Sequence, residues 1–176
     1  MVERTNEVFE GVVRVTAVGS KLTPGTPAPD FLLEYLDPAD GAIHTATLAD
    51  SAGKVRLLNV INSLDTPVCH IETHRWEGLR ADLPADVVVY TVSMDLPYAQ
   101  ARWHAQEEVQ HQSLSAHQSE QFGQDYGVLI KEWRLLQRSV FVIDRHDRLV
   151  YADYVADQMA EPAYAPALEA ARQAAS

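Results

Sequence analysis

Val55-Arg56-Leu57-Leu58-Asn59-Val60-Ile61 is a near-continuous apolar run. A short run of this kind reads as a strand covered on both faces, which places it at the centre of a sheet. Downstream, Pro67 to about Asp82 carries Val68, Ile71, Trp76, Leu79 and Leu83 at roughly helical spacing. Val87-Val88-Val89-Tyr90-Thr91-Val92 then supplies a second buried strand. Strand, helix and strand in this order predict a right-handed parallel crossover.

Further along, Tyr98 to Val109 and Ser119 to Tyr126 read as helices. Ser139 to Asp144 and Leu149 to Tyr154 read as strands turning about Arg145-His146-Asp147, and the Ala-rich tail from Ala163 as a closing helix. Upstream, Phe31 to Tyr35 and Ile43 to Leu48 read as two short strands about Asp37-Pro38-Ala39-Asp40-Gly41. The three prolines of Thr23 to Asp30 make an extended connector too short to be a domain linker. Alternating residues about Glu10-Gly11 predict an N-terminal hairpin over residues 1–18, lying beside the main sheet. The expected fold is therefore an α/β mixed sheet with a parallel crossover at its centre, an antiparallel hairpin at its edge and helices on both faces.

A chain of 176 residues suits one domain, 1–176, with its own core. No window nears the roughly 18 uninterrupted apolar residues of a membrane helix. Met1 to Glu7 leads into no apolar signal segment, so a cytoplasmic location is expected. Fourteen basic against 25 acidic residues give a net charge of −11, which repels a phosphate backbone and argues against nucleic acid as a partner.

The chain has one cysteine, which excludes an intrachain disulfide and the paired cysteines of a zinc ribbon. Cys69 follows Leu64-Asp65-Thr66-Pro67-Val68, at the junction between the buried strand and the helix, where open α/β sheets favour ligand sites. Proline suits the first helical position, so Pro67 makes Thr66 the N-cap and Cys69 the third helical residue. The Thr66 hydroxyl is then expected to bond the amide of Val68 or Cys69. A sulfur in that first turn meets the positive end of the helix dipole, which favours the thiolate. The competing reading is a lone cysteine packed as a small hydrophobe.

Ser63-Leu64-Asp65-Thr66-Pro67-Val68-Cys69 closely resembles the peroxidatic-cysteine loop of the thiol-peroxidase branch of the peroxiredoxins. That family's pattern is Pro, three residues, Thr or Ser, two residues, Cys. Val92 to Gln100, Asp125 to Val128, Gln137 to Asp144 and Glu161 to Tyr164 resemble further family segments in the same order, so the likeness covers nearly the whole chain. It implies a thioredoxin-like fold and a thiol-dependent peroxidase that reduces hydrogen peroxide and organic hydroperoxides. It also implies that Cys69 is the attacking sulfur, that Thr66 hydrogen-bonds sulfur and peroxide, and that Arg138 brings a guanidinium from a neighbouring strand. Fixed donors of this kind stabilise the charge passing to the leaving oxygen. Read alone, Arg138 would be a surface ion-pairing residue. No metal, haem or flavin is implied, and the resemblance predicts a homodimer.

The pattern is departed from twice. Asn62 stands where the family has proline, which is expected to admit water and weaken peroxide binding. His104, in Ala101-Arg102-Trp103-His104, occupies the place of the family's resolving cysteine. Sulfenic acid on Cys69 must then be reduced by an outside thiol, either a small molecule or a thioredoxin-like or glutaredoxin-like protein. Two rival readings remain. One is a peroxide sensor or binding protein on this fold without efficient turnover, motivated by Asn62 and His104. The other is a thiol-disulfide oxidoreductase, disfavoured because such enzymes ordinarily use a Cys-x-x-Cys pair.

Weaker signals lie nearby. His70 and His74 have the spacing of a helical metal pair with Cys69 as a possible third ligand, yet nothing in the sequence enforces the remaining ligands. His70 as a base toward Cys69 is disfavoured, since adjacent helical residues point apart by roughly a hundred degrees. Gln106 to Gln112, with His117 beyond, has the composition of a solvated helix end and loop. Trp103 and Trp133 suit either a core or a dimer interface.

Overall fold

The computed structural model describes all 176 residues. In chain order its elements are β1 (Glu3–Glu10), β2 (Val13–Val18), β3 (Leu33–Leu36), β4 (Ile43–Ala46), β5 (Val55–Val60), α1 (Pro67–Arg80), β6 (Val87–Ser93) and α2 (Pro97–Glu107). They continue with β7 (Gln112–Ser115), α3 (Gln121–Asp125), β8 (Leu129–Ile130), β9 (Leu135–Leu136), β10 (Ser139–Ile143), β11 (Leu149–Tyr154) and α4 (Tyr164–Ala175).

The main sheet has the order β11-β10-β5-β6-β7-β3-β4, with β5 near its middle as its apolar run requires. β5 pairs parallel with β6 in register Val55 to Val87 through Val60 to Val92, and antiparallel with β10. Every residue of β5 is buried. Its alternation divides the core: Leu58 and Val60 join Phe141 and Ile143 on one side, while Val55 and Leu57 pack with Trp76 and with Ala167 and Leu168 of α4 on the other. Arg56 is tolerated inside this strand because its guanidinium is spent on Ser51, on the carbonyls of Leu48, Lys54 and Asp144, and on Asp147.

The N-terminal hairpin is present, turning through Gly11 at φ +57. It extends into a second sheet, β1-β2-β8-β9, because the segment after α3 contributes two short strands absent from the sequence reading. The two strands expected between Phe31 and Leu48 are shorter, and Leu48–Ser51 is a 3-10 turn. The main sheet ends in an antiparallel hairpin at both edges, not at one.

The largest correction concerns Gln106 to Gln112. The helix stops at Glu107, Glu108 takes a left-handed φ of +56, and the chain re-enters the sheet as β7 between β6 and β3. Far from being solvated, the His111 side chain is 1% exposed. Its Nδ1 donates to Glu77 at 2.6 Å and its Nε2 lies 2.8 Å from Thr91 Oγ1. This hydrogen bond leads the interactions that hold the Glu77 carboxyl below the usual carboxylate range. β7 is hidden in the sequence because two of its three buried residues are serines, Ser113 and Ser115, which bond to His104 and to the carbonyl of Asp95. His117 is half-buried against Glu34. Trp103 packs in the core with Cys69, and Trp133 packs against the N-terminal sheet.

Candidate active site

The junction between β5 and α1 is built from the backbone outward. Thr66 is the N-cap of α1 in an extended conformation, Pro67 occupies the first turn, and the helix ladder opens with His70 N–H bonding the Thr66 carbonyl at 3.0 Å. The expected side-chain cap is not formed. Thr66 Oγ1 instead donates to the Ser63 carbonyl at 2.8 Å, which leaves the amides of Val68 and Cys69 without a side-chain partner at the positive end of the helix.

The approach to this turn is tied down by Asp95, at the end of β6. Its carboxylate accepts Ser63 Oγ at 2.7 Å and the Leu64 amide at 2.9 Å, and Ser93 Oγ adds a third bond at 2.8 Å. Because β5 and β6 are parallel neighbours, their C-terminal ends lie side by side, and one carboxylate can bridge the two following loops.

Cys69 is fully buried, packed with Ile61, Leu64, Trp103 and Val109. Its surroundings are not wholly apolar. Arg138, which immediately precedes β10, is itself 1% exposed and places Nη1 3.3 Å from Cys69 Sγ. The same nitrogen donates to Glu72, one turn along α1 on the side of Cys69, while Nη2 donates to the Gln158 carbonyl at 2.6 Å. Arg138 is therefore no surface ion-pairing residue. Burial pushes the Glu72 carboxyl up to about 7 against the pull of the Arg138 guanidinium. Arg138 Nε and Glu72 Oε1 have no hydrogen-bond partner, so this buried group retains an unspent donor and an unspent acceptor.

Asn62 does not open the site to water. It is 6% exposed, and its Nδ2 donates to the Leu136 carbonyl at 2.6 Å and to Gln158 Oε1 at 3.1 Å. Gln158 Oε1 also accepts the Arg138 backbone N–H at 2.8 Å, so Asn62 joins the frame around the arginine. His104 lies in a separate polar cluster. Its Nδ1 must carry the proton to meet the Val109 carbonyl at 3.1 Å, and Nε2 then accepts from Ser113 Oγ at 2.5 Å. Burial pushes its pKa down to about 4. A cleft of about 510 Å³ opens beside the start of α1, lined in part by Thr66, Pro67 and His70, and by Leu64 and Trp103, which pack in the same cluster as the buried cysteine.

The structure thus brings Cys69 and Arg138 together and leaves Thr66 one turn away, bonded elsewhere. Glu72, Gln158 and Asp95 were not singled out in the sequence. Only Glu72 carried a local signal, its three-residue offset from Cys69 on one helix.

A buried cysteine in the first turn of a helix, met by a guanidinium from the residue preceding the adjoining strand of a thioredoxin-like sheet, defines a class of cysteine-dependent oxidoreductase. Comparison with known proteins gives the particular family. The AhpC/TSA family model matches residues 24–152. The thiol peroxidase of Bacillus subtilis (strain 168) is 43% identical over 159 residues, covering 90% of this chain and 92% of the relative. A crystal structure of a peroxiredoxin-like protein from Aquifex aeolicus superposes with a TM-score of 0.82 at 28% identity, covering 97% of this chain and 98% of that one. The thiol peroxidase from Chromobacterium violaceum shares the fold at a TM-score of 0.75 and 20% identity, over 88% of each chain. The chain belongs to the AhpC/TSA family, and within it to the thiol peroxidases.

Proposed function

We propose that this thiol-dependent peroxidase uses Cys69 as its only nucleophile, with Arg138 as the principal electrostatic catalyst. The Cys69 thiolate attacks one oxygen of the hydroperoxide; an S–O bond forms as the O–O bond breaks. The departing oxygen carries the electron pair away, takes a proton and leaves as water or an alcohol, while Cys69 becomes a sulfenic acid. Arg138 donates to the sulfur before reaction and to the developing charge during it. With its proton directed at Ser63, the Thr66 hydroxyl is free to accept the proton of the incoming peroxide, which aligns the O–O bond with the sulfur. Glu72 and Gln158 position the guanidinium.

With no second cysteine in the chain, the sulfenic acid condenses with an external thiol, releasing water. A second thiol then breaks that mixed disulfide, returning Cys69 to the reduced form. A thioredoxin-like or glutaredoxin-like protein or a small thiol can fill this role, and the cleft beside Thr66, Pro67 and Trp103 is the approach for it. The protein acts as one domain in the cytoplasm, where such thiols are kept reduced. A homodimer is favoured by the family resemblance and by the exposed side chains of Ile71, Leu96 and Tyr98 near the starts of α1 and α2.

The observation that carries this reading is the Arg138 guanidinium hydrogen-bonded to a cysteine at a helix start. It is tested by adding near-equimolar hydrogen peroxide in the presence of a sulfenic-acid trap and locating the adduct by mass spectrometry. One adduct on Cys69, with continuous peroxide consumption once a thiol is supplied, is expected. No adduct at Cys69 would refute the peroxidase reading, and an adduct without turnover would favour a sensor.

A further inference from the structure

We propose that His70, His74 and Glu107 form a binding site for a divalent transition-metal ion of the zinc type, bridging α1 and α2. The two histidines are four residues apart and share one face of α1. The ligand missing from the sequence pattern is supplied by the last residue of α2. Glu107 Oε2 lies 3.0 Å from His74 Nε2 and 3.8 Å from His70 Nε2. The three potential ligand atoms all fall within 4.8 Å of one another. Around a tetrahedral ion with bonds near 2.0–2.1 Å, neighbouring ligand atoms stand about 3.3 Å apart, a value that the two measured separations bracket.

The surroundings suit an ion. Both imidazole rings pack against Trp103, each at 5.4 Å between centroids, and stand 4.8 Å from each other. Trp103 is therefore a common wall that limits how far either ring swings. All three side chains are part-buried, with exposures of 42%, 39% and 34%, so the inner side is protein and the outer side is open for water to complete the coordination. Two neutral nitrogens and one carboxylate oxygen favour zinc, copper or nickel over magnesium or calcium, which prefer all-oxygen sets. The acidic surface of the chain, with a net charge of −11, adds attraction for any cation. A bound ion links the helix that begins beside Cys69 to the helix that faces it.

Equilibrium titration of the full, reduced chain with Zn²⁺ against a chromophoric chelator tests the site, alongside far-UV circular dichroism of every variant. One ion per chain is expected, with affinity reduced at least tenfold in His74→Ala and in Glu107→Gln. Cys69→Ser should retain the parent affinity, which keeps the result separate from the chemistry of the thiol. His44→Ala should also retain it, which separates the site from the Asp37, Asp40 and His44 cluster on the far edge of the sheet. Unchanged affinity in either His74→Ala or Glu107→Gln, loss of binding in Cys69→Ser or His44→Ala, or no binding by the parent would each overturn the proposal.

Discussion

Gln158 holds Arg138 at two points: its side-chain Oε1 accepts the Arg138 backbone N–H at 2.8 Å, and its backbone carbonyl accepts Nη2 at 2.6 Å. The same Oε1 accepts the Asn62 amide at 3.1 Å, so one glutamine couples the loop before the reactive cysteine to the arginine that meets it. A guanidinium 3.3 Å from sulfur is placed by this frame rather than by its own strand alone, since Arg138 lies just outside β10.

Gln158→Ala is expected to loosen the arginine without removing it. The loss of a buried acceptor costs about 1–3 kcal/mol of stability. The rate of Cys69 oxidation should fall about tenfold, since displacement of a catalytic group from its geometry costs rate steeply. Stopped-flow oxidation at a temperature where circular dichroism shows the variant fully folded separates the two effects. An unchanged rate would make Gln158 purely structural.

Glu72 gives a distinctive pH dependence. Its carboxyl is raised to about 7 in the folded chain by burial, so between the unfolded carboxylate value of about 4.3 and pH 7 the folded state binds the extra proton. Its contribution to stability is therefore greatest below that window and declines as pH rises through it. Glu72→Gln removes this slope. Chemical denaturation of parent and variant at pH 5 and pH 8 should show the variant gaining stability relative to the parent at the higher pH; a constant difference would contradict the shift.

His104 contributes with the opposite sign. Burial lowers it to about 4 from an unfolded value near 6.5, so its contribution is full above pH 6.5 and is lost as acidification carries the chain through pH 4. His104→Gln should lose about 1–2 kcal/mol at pH 7 through weaker bonds to Ser113 and the Val109 carbonyl. It should lose less than the parent on further acidification. Denaturation midpoints between pH 7 and pH 4.5 check this, and parallel curves would show that the ring does not titrate as its burial requires.

What could be read from the chain followed the range of the interactions. The β5-α1-β6 unit was legible because Val55 to Ile61 and Val87 to Val92 are apolar throughout, and because Thr66-Pro67 punctuates the helix start. β7 was not, because Gln112-Ser113-Leu114-Ser115 is polar in composition and becomes strand only where His104 and Asp95 satisfy its serines. Cys69 stood out as the single cysteine at a marked junction. Arg138 was reached only through family resemblance, since nothing local to it announces a partner 69 residues earlier. Gln158 lies between β11 and α4 with no pattern around it, and its role exists only once the chain has folded.

The most direct measurement is the rate at which the Cys69 sulfur is oxidised by hydrogen peroxide in the parent and in Arg138→Ala, followed in single turnover with circular dichroism to confirm folding. A buried sulfur that depends on one donated hydrogen bond for its transition state should react about 100-fold or more slowly in the variant. Equal rates in two folded proteins would show that the guanidinium beside Cys69 takes no part in the chemistry.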